Sequence, residues 1–478
     1  MSNYVKYLFD INAGRKSANA FVDSTGYTTY GEWQAQTTAI AHFYQAQGLG
    51  AGDFVILAAK HNRMFPVVFT ALVALGIIPL LVDETTDQET LTELSARIDS
   101  KATITAVDVE RLPTAPVSDI KFYNYQPDDL AFMLCTSGTT GVPKLVKHKH
   151  RAFFDIYQST RGRYGLCQQD VVMATAKMSF GYGFALDIIV SPQEGCLAVL
   201  IDKPPTPNLV IDNIKTHRVT HFFSNPTMLG LLVNKSGATT LGNDIRYVIT
   251  SSEPISDIIV EKFKAKFGIT LLNGYGSSET MINTIINDDI HSRQGSMGKP
   301  INGFEFAIHD KDGKECEIGI PGILMVRSPM ISCGYYGQEH QASEHFPGGW
   351  FKTNDVAYQD LDGFYYYVGR DGQHVKINAM WTSAAEIENL LLSTNKISDA
   401  TVTFAHDDNG LTKAIAYVVL DDAHNTVTTA QLRGELLTQA KSHQVPKEIY
   451  FMRYLPRSKR NKRITNKQIL NAHHADQS

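Results

Sequence analysis

The ten residues CTSGTTGVPK, at 135–144, are the stretch best equipped for chemistry. Gly138 and Gly141 let consecutive backbone N–H groups turn toward an anion, and Thr136, Ser137, Thr139 and Thr140 add hydroxyl donors. Pro143 stiffens the exit, and Lys144 then supplies a point charge. Such a set suits a flexible polyphosphate. The G-x-x-x-x-G-K-[ST] spacing is absent, so this is not a Walker loop. A surface turn rich in Ser, Thr and Gly is the plainer alternative that composition alone allows.

A loop of this kind needs a rigid carrier, and residues 132–135 read as a strand running straight into it. Upstream the chain alternates. A helix is expected over 32–47, closed by Gly48 and Gly50, then a strand over 54–58, a helix over 65–75 and a strand over 77–82. That βαβα rhythm implies a mostly parallel sheet with helices on its faces. Strand-like runs recur at 219–223, 247–250 and 269–272, and the last meets a polar turn at 273–279. Ligands of open α/β sheets sit beyond the C-terminal ends of strands, so a site is expected at 136–144, 251–253 and 273–279. From 293 to 369, glycines punctuate short strands such as 304–308 and 323–326, which suggests a β-rich subdomain. Beyond it, helices over 383–392 and near 428–442 and strands over 400–404 and 413–419 read as compact α+β. The expected fold is therefore α/β. A large N-terminal domain over 1–369 carries mostly parallel sheets sandwiched by helices, and a small α+β domain spans 370–478.

At 478 residues the chain is too long for a single core. A net charge of -5, from 44 basic and 49 acidic residues, favours no nucleic-acid partner. The cysteines, Cys135, Cys167, Cys196, Cys316 and Cys333, form no Cys-x-x-Cys pair and read as reduced thiols of a cytosolic protein. The N-terminus has no secretory pattern. The longest apolar stretch, 65–82, contains Thr70, Pro66 and Pro79 and divides at Gly76, so it reads as buried core rather than a membrane span. The oligomeric state is open.

The string at 135–144 resembles the phosphate loop of the adenylate-forming superfamily, which comprises acyl-CoA synthetases, peptide-synthetase adenylation domains and luciferases. The resemblance runs along nearly the whole chain and is nearest to benzoate-type aryl-CoA ligases. NGYGSSE, 273–279, resembles the family's adenine and magnesium segment. The resemblance implies that Asn273, Gly274 and Tyr275 border the adenine, that Ser278 keeps a phosphate-facing hydroxyl, and that Glu279 helps hold Mg²⁺. In KTNDVAYQD, 352–360, Asp355 matches the aspartate that accepts the ribose hydroxyls, and Asn354 stands where a glycine is usual. Alone, Asp355 could be an ordinary turn residue.

The segment 367–388 resembles the family's hinge and the start of its small, mobile C-terminal domain. Arg370 matches the arginine that reaches the ribose, and Asp371 the hinge spacer. Gly372 and Gln373 replace a usual acidic pair, Ala379 replaces a glycine beside the pantetheine tunnel, and Trp381 is a benzoate-type feature. LPRSKRNKRITNK, 455–467, resembles the last motif, with Lys462 as the catalytic lysine and Lys459 and Lys467 as rivals in poorer register.

The pocket for the acid is less defined. TAKMSFGYGFALD, 175–187, resembles a benzoate-type segment in which Phe180, Tyr182 and Phe184 wall a flat pocket or pack in the core. Asn225 is polar where an aliphatic residue is common, and Ser251, Ser252 and Glu253 match a segment bordering the adenylate, with Ser252 in place of a glycine. Asp187 interrupts an apolar run; an Asp at a helix edge or near solvent is the favoured reading, and a partner for an amine or hydroxyl on the acid is the other. The resemblance implies that ATP and Mg²⁺ activate a small carboxylic acid, which passes to CoA or to the phosphopantetheine of a holo-carrier protein. A non-catalytic nucleotide-binding protein is the reading from another class.

Overall fold

The computed structural model describes residues 3–113, 120–136, 143–287, 293–371, 374–377, 380–394, 396–406, 412–421 and 427–455. They form two compact units. The first comprises 1–255, 259–306 and 326–352; the second comprises 256–258, 307–325 and 353–478.

The first unit holds two large sheets. One runs in the order Ala102–Thr105, Phe54–Ala58, Ile78–Leu81, Leu130–Thr136, Lys144–Lys149. Its first four strands are parallel and the last pairs antiparallel. The other has a parallel centre: Leu271–Tyr275, Tyr247–Thr250, His221–Ser224, Val171–Ala174, Leu197–Leu200 and Asn19–Asp23. Short antiparallel strands close both of its edges. Parallel strands buried on both faces favour apolar residues at every position, and 54–58 is of that kind, whereas 221–224 is buried throughout yet carries His221 and Ser224 at its ends.

Local signals account for the helix limits. The helix Tyr30–Ala46 begins two residues before the expected start because Thr29 caps it, with Glu32 completing the capping box. The helix Thr429–Gln439 stops short of 442 because Ala440 is already extended. The apolar stretch at 65–82 divides into the buried helix Met64–Ala74 and the strand Ile78–Leu81. Pro66 fits inside the helix because the first turn has no N–H acceptors to lose. Among the described residues no helix is long and apolar enough to cross a membrane.

In the second unit, residues 355–359 of the strand Phe351–Gln359 pair antiparallel with the strand Tyr365–Arg370, and Asp355 lies opposite Arg370. Further on, the capped helix Ala384–Ser393 packs with a sheet of Ile397–His406, Thr412–Leu420 and Glu448–Phe451 around Ile387, Leu391, Ala416 and Leu432.

Thr70 shows how the first unit's core handles polarity. Its hydroxyl accepts the Trp33 indole N–H at 3.1 Å, meets the Thr37 hydroxyl at 2.9 Å and reaches the Pro66 carbonyl at 2.7 Å. Thr70→Val would strand two buried donors at a cost of about 1–3 kcal/mol. Calorimetry should show the first unit's melting transition falling by roughly 2–4 °C or more. An unchanged transition would mean that Trp33 and Thr37 find other partners.

Candidate functional site

The stretch expected to take phosphate lies between two antiparallel strands, Leu130–Thr136 and Lys144–Lys149, rather than between a strand and a helix. Ser137, Gly138, Thr139, Thr140 and Gly141 lie outside the described residues. Thr136 and Lys144 face each other across the hairpin. The Lys144 ammonium stands 4.7 Å from the centre of the Tyr335 ring. The Tyr335 hydroxyl donates to Glu279 Oε1 at 2.7 Å, and the His345 ring meets Tyr335 edge-on at 4.9 Å. Burial pushes the His345 pKa down, and Lys144 adds to it. Lys144, Glu279, Tyr335 and His345 are thus one cluster.

The backbone explains their meeting. Tyr335 lies in a short segment that pairs with the second hairpin strand: Cys333 N–H donates to the Lys147 carbonyl at 3.0 Å, and Lys147 N–H to Gly334 at 2.9 Å. On the same strand His148 donates from Nε2 to the Ser278 carbonyl at 2.9 Å and stacks on Phe132. Burial holds the His148 pKa down at about 4, against the Ser278 bond, so the ring is neutral with its proton on Nε2.

The turn expected over 273–279 is corrected. Asn273, Gly274 and Tyr275 end the strand Leu271–Tyr275, and the turn follows them. The glycine serves close approach there, since a Cβ on Gly274 would stand 2.5 Å from Asn283 Nδ2. Asn273 Nδ2 donates to the Ser296 carbonyl at 3.3 Å. Mg²⁺ is commonly held by one or two carboxylates together with substrate phosphates. An anchored Glu279 fits that requirement. Among the described residues no group of three or more His, Cys, Asp or Glu offers another metal site.

The aromatic trio separates. Phe184 is fully buried and packs at 4.8 Å on both Phe69 and Phe132, so it belongs to the core, not to a pocket wall. Phe180 precedes the short helix Gly181–Phe184 and is half-buried. Tyr182 is half-buried, with its ring edge-on to Phe223 and its hydroxyl accepting from Asn283 Nδ2 at 3.4 Å. Lys177, just upstream, is ion-paired with Glu84 at 2.9 Å and Asp83 at 3.2 Å.

Two further expectations change. Asp187 is neither at a helix edge nor near solvent: it is fully buried within the π-helical turn Ala185–Val190. Asn225 caps the helix Pro226–Lys235, its Oδ1 accepting from Met228 N at 2.8 Å, which explains a polar residue there. Ser251 is buried and donates its N–H to the Ser224 carbonyl at 3.3 Å. Ser252 is exposed, and Glu253 accepts from the Thr227 hydroxyl at 3.0 Å.

In the second unit the buried Asp355 carboxylate meets Arg370 Nε at 3.1 Å. Tyr367 lies beside it; burial, then the Asp355 charge, pushes its phenol pKa up. Asp371 donates its N–H to the Asn354 carbonyl at 2.8 Å. Gly372, Ala379 and Lys462, with Lys459 and Lys467, lie outside the described residues, as does the side chain of Trp381 in the strand Met380–Ser383.

The AMP-binding enzyme profile matches residues 9–336, more than half of the chain, and the profile of the AMP-binding enzyme C-terminal domain matches 386–462. The chain belongs to the AMP-binding enzyme family. Like other AMP-binding enzymes, it is an ATP-dependent ligase that activates a carboxylic acid as an acyl-adenylate. It is 27% identical to a 4-hydroxybenzoate–CoA/benzoate–CoA ligase of Rhodopseudomonas palustris, over 95% of this chain and 90% of that protein. It is 30% identical to a 3-hydroxybenzoate–CoA ligase of Aromatoleum sp., over 70% of this chain and 64% of that one. A benzoate CoA ligase from Burkholderia xenovorans LB400 shares the fold with a TM-score of 0.89 at 24% identity, covering 97% of this chain and 99% of that one.

Sequence reasoning on this AMP-binding enzyme does not single out Tyr335, His345 or His148. Tyr335 and His345 reach Lys144 only through the tertiary fold. His148 carried a signal, because Val146 and His148 alternate on the inward face of a strand whose Lys147 and Lys149 point outward. The test is His148→Phe, which leaves the Ser278 carbonyl without its donor. Calorimetric titration should show Mg·ATP affinity weakened by about 1–3 kcal/mol, with His148→Gln restoring part of it. Equal affinity in the Phe variant would show that Ser278 needs no such support.

Proposed function

We propose that this AMP-binding enzyme adenylates an aryl or other small cyclic carboxylic acid and transfers the acyl group to CoA. The observation that carries this reading is the near-full-length similarity to benzoate ligases. Tyr182 against Phe223 supports it, because flat rings suit a flat acid.

The acid is ionised at pH 7, so no general base is needed. Its oxygen attacks the α-phosphorus of ATP; the new O–P bond forms as the bond to pyrophosphate breaks. Negative charge develops on the equatorial and leaving oxygens, and Lys144, the loop N–H groups and Lys462 are assigned to it. Glu279, anchored by Tyr335, would hold Mg²⁺, which when bound neutralises phosphate charge. Tyr275 is assigned to the adenine, and Asp355 with Arg370 to the ribose. The CoA thiol then attacks the acyl carbonyl and AMP leaves. We assign the division at 369/370 to the two functional domains. To the smaller we assign a turn about 370–373 between the steps, and to Ala379 and Trp381 the thiol's path. The free, scattered cysteines support a cytosolic setting.

Pyrophosphate release across aryl, heterocyclic, amino and fatty acids tests the substrate class. Benzoate-like acids should lead; a clear preference for long linear acids would overturn it. Thioester formation should proceed with free CoA. A product formed only with a holo-carrier protein would replace CoA as acceptor. Asp355→Ala should weaken ATP binding by about 1.5–3 kcal/mol in a calorimetric titration. Unchanged affinity in the folded variant would leave Asp355 only its pairing with Arg370.

A further inference from the structure

Asp187 is the most anomalous group in the first unit. Its side chain is fully buried, and neither carboxyl oxygen has a hydrogen-bond partner among the described residues. The nearest basic group is His61, also buried, whose Nε2 lies 4.0 Å from Asp187 Oδ2 and likewise has no partner. Three unpartnered polar atoms therefore stand together in an apolar interior, which is costly for neutral groups and far more so for an ion.

The His61 ring decides the charge. Its Nδ1 lies 3.0 Å from the backbone N of Met178, which can only donate. Nδ1 is therefore an acceptor, and the single ring proton is on Nε2, facing Asp187. A doubly protonated ring would set two N–H groups against each other at Nδ1. His61 is thus no cation, and Asp187 has no counter-charge. Burial also holds the His61 pKa down at about 3, with Lys177 adding and Asp83 opposing. Burial raises the Asp187 pKa well above the carboxylate range, and no charged neighbour offsets it. An isolated buried carboxylate takes up a proton instead.

The setting ties these groups to the acyl segment. Asp187 sits in the π-helical turn that continues directly from Gly181–Phe184. A π turn carries an extra residue and turns side chains away from the usual 3.6-residue facing; such turns recur at functional sites. The turn is held from outside, as the Tyr4 hydroxyl donates to the Ile188 carbonyl at 2.9 Å. His61 grips the start of the same segment through Met178. Lys177, the residue before it, is clamped by Asp83 and Glu84.

We propose that Asp187 is a neutral carboxylic acid that pairs with His61 as a positioning device, holding the segment from Lys177 to Phe184, and with it Tyr182, in the shape that receives the acid. The positioning half rests on Tyr182 lining the acid pocket; the protonation half does not. The infrared spectrum of the whole protein tests the second. A wild-type minus Asp187→Asn difference spectrum should contain the carbonyl stretch of a protonated carboxylic acid, unchanged from about pH 6 to about pH 8, where free carboxyls are ionised. A missing band, or one that titrates across that range, overturns the neutral acid.

Kinetics test the positioning. Asp187→Leu leaves the His61 Nε2–H facing hydrocarbon, and His61→Asn keeps the acceptor for Met178 but loses the Nε2 donor. Each should raise KM for the acid about tenfold while KM for ATP is unchanged. The double variant should do no worse than the poorer single, as for one coupled unit. Equal losses for acid and ATP, additive effects, or an unchanged acid KM overturn the device. Should Asp187→Leu fail to fold, His61→Asn and the infrared band still decide. A wild type that adenylates no aryl acid defeats the pocket reading and leaves the band as a separate result.

Discussion

The register of one hairpin governs the cluster around Lys144. Thr136 faces Lys144, so the strand Lys144–Lys149 presents Leu145 and Val146 to the interior and sends His148 toward Ser278. A slip of one residue would exchange every inward and outward side chain. Lys147 would then replace His148 beside a buried carbonyl. The same strand's backbone pairs with Cys333 and Gly334, which sets Tyr335 over Lys144 and beneath Glu279. One ladder thus positions Lys144, Glu279 and the turn that carries Glu279. Phe132 beneath His148 and the surrounding apolar core make the register costly to change.

A second constraint is that buried polar groups must be matched. The first unit meets it mostly with local pairs: Thr70 with Trp33 and Thr37, and the Asn225 cap. His61, His148 and Asp187 are among the exceptions, since each buries at least one polar atom without a partner among the described residues. His148 offsets its free Nδ1 with the Ser278 bond and the stack on Phe132. Asp187 shows no such bond. A fold tolerates that more readily for a neutral group than for an ion, which is why protonation and position are linked at Asp187.

Much of this was legible in the sequence. Strands at 54–58 and 247–250 appeared at their observed limits, because a continuous apolar run has one stable use in a parallel sheet. The βαβ rhythm of the large unit was equally plain. The end of the strand at Tyr275 was not: Asn-Gly reads as a turn, yet Gly274 is there because Asn283 lies against it. Phe184 and Tyr182, two residues apart, looked alike in sequence, and only packing sends one into the core and leaves the other half-exposed. Asp187 was misread because an apolar run implies ordinary helix facing, and a π turn cannot be seen in composition. Tyr335 and His345 join Lys144 through contacts nearly two hundred residues apart, which no local pattern records.

Asn354 and Ser252, both read from the sequence as standing where a glycine is usual, differ in physical cost. Asn354 and Ser252 both stand at left-handed backbone, with φ of 60° and 79°. Asparagine visits that region readily, so Asn354 keeps the bend that lets its carbonyl accept the Asp371 N–H next to the Asp355–Arg370 pair. Serine does not, and Ser252 carries strain of about 1–2 kcal/mol. Such strain persists where neighbours over-determine the backbone. Here they do: Ser251 is buried and bonded to Ser224 on one side, and Glu253 is held by Thr227 on the other. Ser252 thus sets a hydroxyl at an exposed bend that glycine would fill without strain, at the C-terminal end of the strand Tyr247–Thr250, where an α/β sheet presents its ligand-facing loops.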